Sequence, residues 1–182
     1  GISLKAAELA SLKELVLSSS QGSKARHYIA LPTDNGCMTV FDGKEIRPFL
    51  NTGISTISAK CKVLYYKIFE NMMDYLSYVE LDSRRSWQMM GITTAIILNG
   101  EDNIEEAISF FKKHKGVEAI QCYFPNDTRG NNLYRYFARE VGRRFIRNKS
   151  DEFFPYRSLS EAVRTKVPSV VMRRLVKWKK IA

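Results

Sequence analysis

Short apolar runs alternate with helical periods from Cys61 to Arg147, and no other feature narrows the available folds as much. Val63 to Phe69 reads as a mostly apolar strand. Asn71 to Asp82 has the helical period, with Met72, Met73, Leu76, Tyr78 and Val79 as its apolar set. Thr94 to Leu98 is a short buried-type strand ending at Asn99-Gly100. Asn103 to Lys113 reads as a helix with Ile104, Ala107, Ile108 and Phe111 on one face. Glu101, Asp102, Glu105 and Glu106 suit the positive end of its dipole. Val117 to Phe124 is another strand, and Thr128 to Arg147 one long basic helix. A β-α-β-α-β-α order predicts an α/β fold: a parallel sheet with right-handed crossovers and flanking helices.

Upstream the pattern differs. Leu4 to Leu17 offers an amphipathic helix, with Leu9, Leu12, Val16 and Leu17 on one stripe. Ser18-Ser19-Ser20-Gln21-Gly22-Ser23 is a flexible break that would leave this helix detachable. Three β-like runs follow, His27 to Leu31, Cys37 to Phe41 and Glu45 to Leu50. The turn signals Pro32-Thr33-Asp34-Asn35-Gly36 and Asp42-Gly43 separate them, which predicts a small antiparallel meander. Asn51 opens a connecting segment through Ser58. Ser158 to Arg164 reads as a short helix, and Val167 to Lys180 as a basic helix or arm.

Charge divides the chain. Arg129 to Ala182 holds 15 basic and 4 acidic residues, net +11, whereas Gly1 to Thr128 holds 14 and 15, net −1. Such an excess marks a polyanion-binding surface, nucleic acid first, with a membrane surface or an acidic protein behind it. On the expected long helix Arg135, Arg139 and Arg143 fall at i, i+4 and i+8 on one face, and Arg144 and Arg147 extend the positive surface. A solubilising face is the bland alternative. Aromatics such as Tyr134, Phe145, Phe154 and Tyr156 are interleaved with these cations, where a base could stack on them.

Hydrophobic residues fill 45% of the 182 positions, enough for a core and against wholesale disorder. No apolar run nears the roughly 18 residues of a membrane span. The start, Gly1-Ile2-Ser3-Leu4-Lys5, lacks a signal-peptide pattern, so a cytoplasmic protein with no membrane partner is expected. Gly1 in place of Met fits a piece of a longer protein. Cys37, Cys61 and Cys122 form no CxxC pair, which favours reduced thiols over zinc or disulfides.

Ligands of open parallel sheets bind at the carboxyl ends of the strands. Those ends present Phe69-Glu70-Asn71, Asn99-Gly100 and Pro125-Asn126-Asp127. Glu70 and Asp127 can converge on one edge, where hard oxygen ligands suit Mg²⁺ and a carboxylate can shuttle a proton in phosphoryl transfer. Alternatively each caps the helix that follows it.

Val63 to Tyr78, with Phe69-Glu70-Asn71 and then Asp74-Tyr75-Leu76-Ser77, resembles the first motif of toprim (topoisomerase–primase) domains. In primase-like toprim proteins of bacterial mobile elements that motif is a strand, Phe-Glu-Gly, and a helix carrying Asp-Phe-Leu-Ser. Ile120 to Gly130 resembles the second motif, a strand followed by Asp-Asn-Asp-x-x-Gly, and Ile96-Ile97-Leu98-Asn99-Gly100 resembles the middle strand. The similarity spans roughly residues 26–147. It implies a toprim-like parallel sheet at 59–150, after an N-terminal helix and linker at 1–22 and the meander at 23–58, with a basic extension at 151–182.

By position the resemblance implies Glu70 as catalytic acid/base, Asp127 as metal ligand and Gly130 as the motif glycine. Pro125 stands where the first aspartate belongs and Asn71 where the glycine belongs. Loss of one carboxylate should weaken Mg²⁺ binding, since this ion gains most from charge. The resulting expectation is a nucleic-acid-binding toprim-like domain of a DNA replication or mobilisation protein with weakened or lost catalysis. Arg129, Arg135, Arg139, Arg143, Arg144 and Arg147 would contact nucleic acid, DNA rather than RNA, and other replication or mobilisation proteins would be partners. A Mg²⁺-dependent primase or strand-cleavage enzyme, and a protein-interaction subunit with a basic docking tail, stay open as alternatives.

Overall fold

The computed structural model describes residues 2–17, 25–59, 65–83, 93–114, 116–142 and 145–165. Four strands, β1 (Lys13–Leu17), β2 (Arg26–Pro32), β3 (Met38–Phe41) and β4 (Ile46–Phe49), form an antiparallel sheet in chain order. The meander read from the turn signals is β2 to β4. Strand β1 falls where the apolar stripe predicts helix. Helix α1 (Leu4–Leu9) stops early: Ser11 takes a φ of 58°, and the chain turns into β1. Leucines at 12, 15 and 17 fit a strand about as well as a helix, and pairing with β2 (Leu15 opposite Tyr28) decides between them. Leu15 and Leu17 pack beside Tyr28, Ala30 and Val40, while Val16 between them stays exposed, the two-residue alternation of a strand.

The second sheet holds β5 (Ser55–Ile57), β6 (Tyr65–Phe69), β7 (Thr93–Ile97), β8 (Ala119–Tyr123) and β9 (Ile146–Asn148), in the order β5-β7-β6-β8-β9. The last four run parallel, and β5 lies antiparallel on β7. The expected connecting segment therefore contains an edge strand, which the Asn99 side chain ties down by donating to the Gly53 carbonyl and the Ser55 hydroxyl.

Alternation along the strands sends side chains to two cores. Phe69, Ala95, Ile97 and Tyr123 face α1, α2 (Met72–Ser83) and α5 (Leu159–Arg164). Tyr66, Ile68, Ile96, Leu98, Ile120, Cys122 and Phe124 face α3 (Ile104–Lys113) and α4 (Thr128–Val141). Helices thus cover both faces of a mostly parallel sheet, as expected. Leu31 and Phe41 join the first core, so the meander packs against it. Ala6 and Ala10 are fully buried in that core too, and α1 lies on α2. Among the described residues no helix is long and apolar enough to cross a membrane.

The long basic helix is shorter than its charge pattern predicts. Gly142 adopts a left-handed φ of 63° and its N–H caps the Ala138 carbonyl, ending α4 at Val141. The chain then forms β9, where Arg147 lies opposite Gln121 on β8. Arg147 is consequently on an edge strand rather than on the helix. A left-handed glycine and a free strand edge on β8 outweigh the helical period there.

Candidate functional site

The sheet order creates a switch point. From β6 the chain crosses by α2 to β7, on one side, and from β8 it crosses by α4 to β9, on the other. Helices α2 and α4 leave neighbouring strands toward opposite faces, which opens a crevice at their carboxyl ends. Glu70 directly follows β6 and Asp127 follows β8, so both carboxylates stand on this rim.

Glu70 is buried, 8% exposed, and its backbone carbonyl accepts the Gly100 N–H at 3.2 Å. Its carboxylate is paired with the Arg129 guanidinium, whose other terminal nitrogen donates to Glu101 at 3.1 Å. Burial pushes the Glu70 carboxyl up; Arg129 draws it back down and neighbouring Asp74 adds to the rise. A carboxyl raised in this way suits proton transfer.

Asp127 is the N-cap of α4. One oxygen accepts the Gly130 N–H at 2.8 Å, and the other accepts Arg157 Nε at 2.7 Å. The amide of Gly130 and then the Arg157 guanidinium hold its carboxyl below the usual range. A lowered carboxyl contributes stability above its unfolded value and loses that contribution as pH falls through the folded one. Asp127→Asn, which keeps the capping oxygen, is therefore expected to flatten the acid limb of a melting-temperature profile below about pH 4, under the ordinary aspartate value of 3.8. An unchanged limb would show that other groups carry it.

The capping alternative thus holds for Asp127. Glu70 is not a cap; Asn71 is, accepting the Asp74 N–H at 3.0 Å. The buried Asp74 carboxylate accepts the Asn71 amide at 2.9 Å and the Ser160 N–H at 2.8 Å, docking α5 on α2 beside the rim. Sequence reasoning missed Asp74 as a structural acid, and also Glu101 and Arg157. The Asp74-Tyr75-Leu76-Ser77 motif carried a signal for the first. Arg157 lies in a loop after Pro155, where no periodicity points anywhere.

The motif glycine has a steric reason. A Cβ at Gly130 would lie 2.0 Å from the Pro125 carbonyl oxygen, so the first turn of α4 leans directly on the strand end.

Residues 67–153 match the family described as Toprim-like. Over these residues the chain is toprim-like. No curated protein matches the chain in sequence. The primase fragment of the bacteriophage T7 primase-helicase superimposes with a TM-score of 0.64 at 15% identity, over 96% of this chain and 71% of that one. Bacteriophage T7 lagging-strand DNA polymerase interacting with primase domains bound to an RNA/DNA hybrid and dTTP gives a TM-score of 0.63 at 14% identity, over 97% and 86%. Both likenesses concern the fold.

Toprim domains generally bind Mg²⁺. The donors of this rim do not suit that ion as arranged. Asp127 is committed to the helix cap and Arg157, Glu70 is committed to Arg129, and buried Pro125 brings no side-chain oxygen.

The remaining arginines lie elsewhere. Thr128, Asn132, Arg135 and Arg139 form the solvent face of α4, and Arg139 also pairs with Glu140 at 3.0 Å. Arg147 is exposed on β9, which α4 packs beside through Tyr134 donating to the Ile146 carbonyl. Arg129 is the only one of the set that reaches the carboxylates among the described residues. Arg143 and Arg144 lie outside the described residues, as do Cys61, the serine-rich break at 18–23 and the basic stretch from residue 166 onward.

Proposed function

We propose that this chain is the nucleic-acid-binding toprim domain of a DNA replication or mobilisation protein, with catalysis weakened or lost. The observation that carries this reading is the exposure of Arg135 and Arg139 on α4 and of Arg147 on the adjoining β9, within the third of the chain that holds the whole positive excess. A row of solvated guanidinium groups on neighbouring elements is a surface on which phosphates displace counterions. The T7 primase domains bound to an RNA/DNA hybrid support the same class of ligand for this fold. DNA is the favoured ligand, other replication or mobilisation proteins (those of bacterial mobile elements first) are the favoured partners, and the cytoplasm is the expected compartment. Weak Mg²⁺ binding, from Pro125 in the metal motif, is part of the proposal.

Fluorescence anisotropy with labelled single-stranded DNA across roughly 50 to 300 mM salt tests it. The logarithm of affinity should fall linearly with log salt. Charge reversal at Arg135, Arg139 and Arg147 together should reduce the slope by about 3 and weaken binding about a hundredfold or more. Affinity untouched by the triple change, or no retention of DNA at low salt, would sink the proposal. Phosphoryl transfer is the second reading, favoured by the raised Glu70 carboxyl. Template-dependent nucleotide incorporation that disappears in Glu70→Gln would install it instead.

A further inference from the structure

We infer that Arg129 is the resident cation of the toprim rim, its guanidinium bridging Glu70 and Glu101 in the place where a divalent ion would otherwise be held. The geometry is specific. One terminal nitrogen of Arg129 meets Glu70 at the end of β6, and the other meets Glu101 in the turn after β7. Two carboxylates on neighbouring strand ends are thus joined by one positive group from the first turn of α4. Arg157 plays the matching part for Asp127, from the opposite wall, and its own backbone carbonyl accepts the Asn126 N–H at 2.6 Å. Each acid of the rim therefore meets a fixed side-chain cation before any ion arrives.

Charge makes the arrangement competitive. Glu70 feels the negative charges of Asp74 and Glu101 against the positive charge of Arg129, and Asp127 faces Arg157 and Arg129. With Arg129 gone, Glu70 and Glu101 keep their places but lose their counter-charge, and a divalent cation becomes the best replacement. With Arg129 present, the ion must displace it or bind beside a like charge. The side chain of Arg129 is 45% exposed, so it can be exchanged without unpacking the core.

Mn²⁺ titration of the full chain without nucleic acid, read by electron paramagnetic resonance at fixed pH, tests this separately from the DNA-binding proposal. Arg129→Gln removes the charge and keeps a donor for Glu70; Arg129→Ala removes both and serves as the second variant. Both are expected to bind Mn²⁺ about tenfold or more tighter than the unaltered chain, from removal of a like charge within a few ångströms of the ion. Adding Glu70→Gln should erase the gain. Equal affinity in the unaltered chain and in both variants would overturn the inference, as would a gain that survives the loss of the Glu70 charge.

Discussion

Gly130→Ala is expected to destabilise the fold by about 3 kcal/mol, near the upper end of what one added methyl group costs in a tightly packed place. The added carbon would stand 2.0 Å from the Pro125 carbonyl oxygen and 2.8 Å from the Pro125 carbonyl carbon and nitrogen. All of these are backbone atoms, so no side chain can swing aside. Relief requires α4 to move off the end of β8. That movement also breaks the Asp127 cap, because the Gly130 N–H is the group Asp127 holds. Arg129 precedes the glycine and would lose its register with Glu70 and Glu101. The measurement is urea unfolding of both proteins. A midpoint shifted by no more than experimental error would mean that the helix start is not pinned against the strand end.

Asp74→Ala is expected to cost a comparable amount, about 3 kcal/mol, by a different route. The Asp74 carboxylate is 1% exposed and accepts the Ser160 N–H and the Asn71 amide. Truncation leaves those donors without an acceptor in a place water reaches poorly, and unpaired buried donors carry the full desolvation cost. The carboxylate is also a principal tie between α2 and α5, whose buried residues Leu159 and Ala162 belong to the first core. Hydrogen exchange should therefore accelerate most in residues 159–164, ahead of the sheet. Uniform acceleration over the whole chain would indicate that α5 is not held locally by this residue. Burial raises the Asp74 carboxyl, so the folded state retains its proton to higher pH than the unfolded chain does. Stability owed to that proton declines as pH rises through this interval, the reverse of Asp127, and the variant removes the decline.

Much of the α/β core was legible before any coordinates. Apolar runs of five to eight residues ending in Glu-Asn, Asn-Gly or Pro-Asn-Asp, with helical periods between them, leave a parallel sheet as the economical solution, and β6, β7 and β8 lie where those runs fall. Elements misread from local pattern were those whose sequence fits two structures. Lys13–Leu17 satisfies both a helical stripe and a strand alternation, and hydrogen bonding to β2 selected the strand. Phe145 to Asn148 continues the basic helical period of α4, yet Gly142 turns left-handed and the open edge of β8 captures Ile146–Asn148 as β9. Ser55–Ile57 carries too few residues to announce itself, and β7 supplies the partner.

The same division holds at the site. Sequence alone determined that Glu70 and Asp127 would follow strands of one sheet and that the positive charge would concentrate from Arg129 onward, because strand ends and charge are local properties of the chain. Only the tertiary structure decided that β6 and β8 are neighbours whose helices depart to opposite faces, and that Arg129 and Arg157 close on the two acids. Strand order depends on which edges each apolar face can bury against, and ion pairs between residues 59 and 30 positions apart depend on that order. Neither is written in any short stretch of residues, since both arise from burying two faces of one sheet at once.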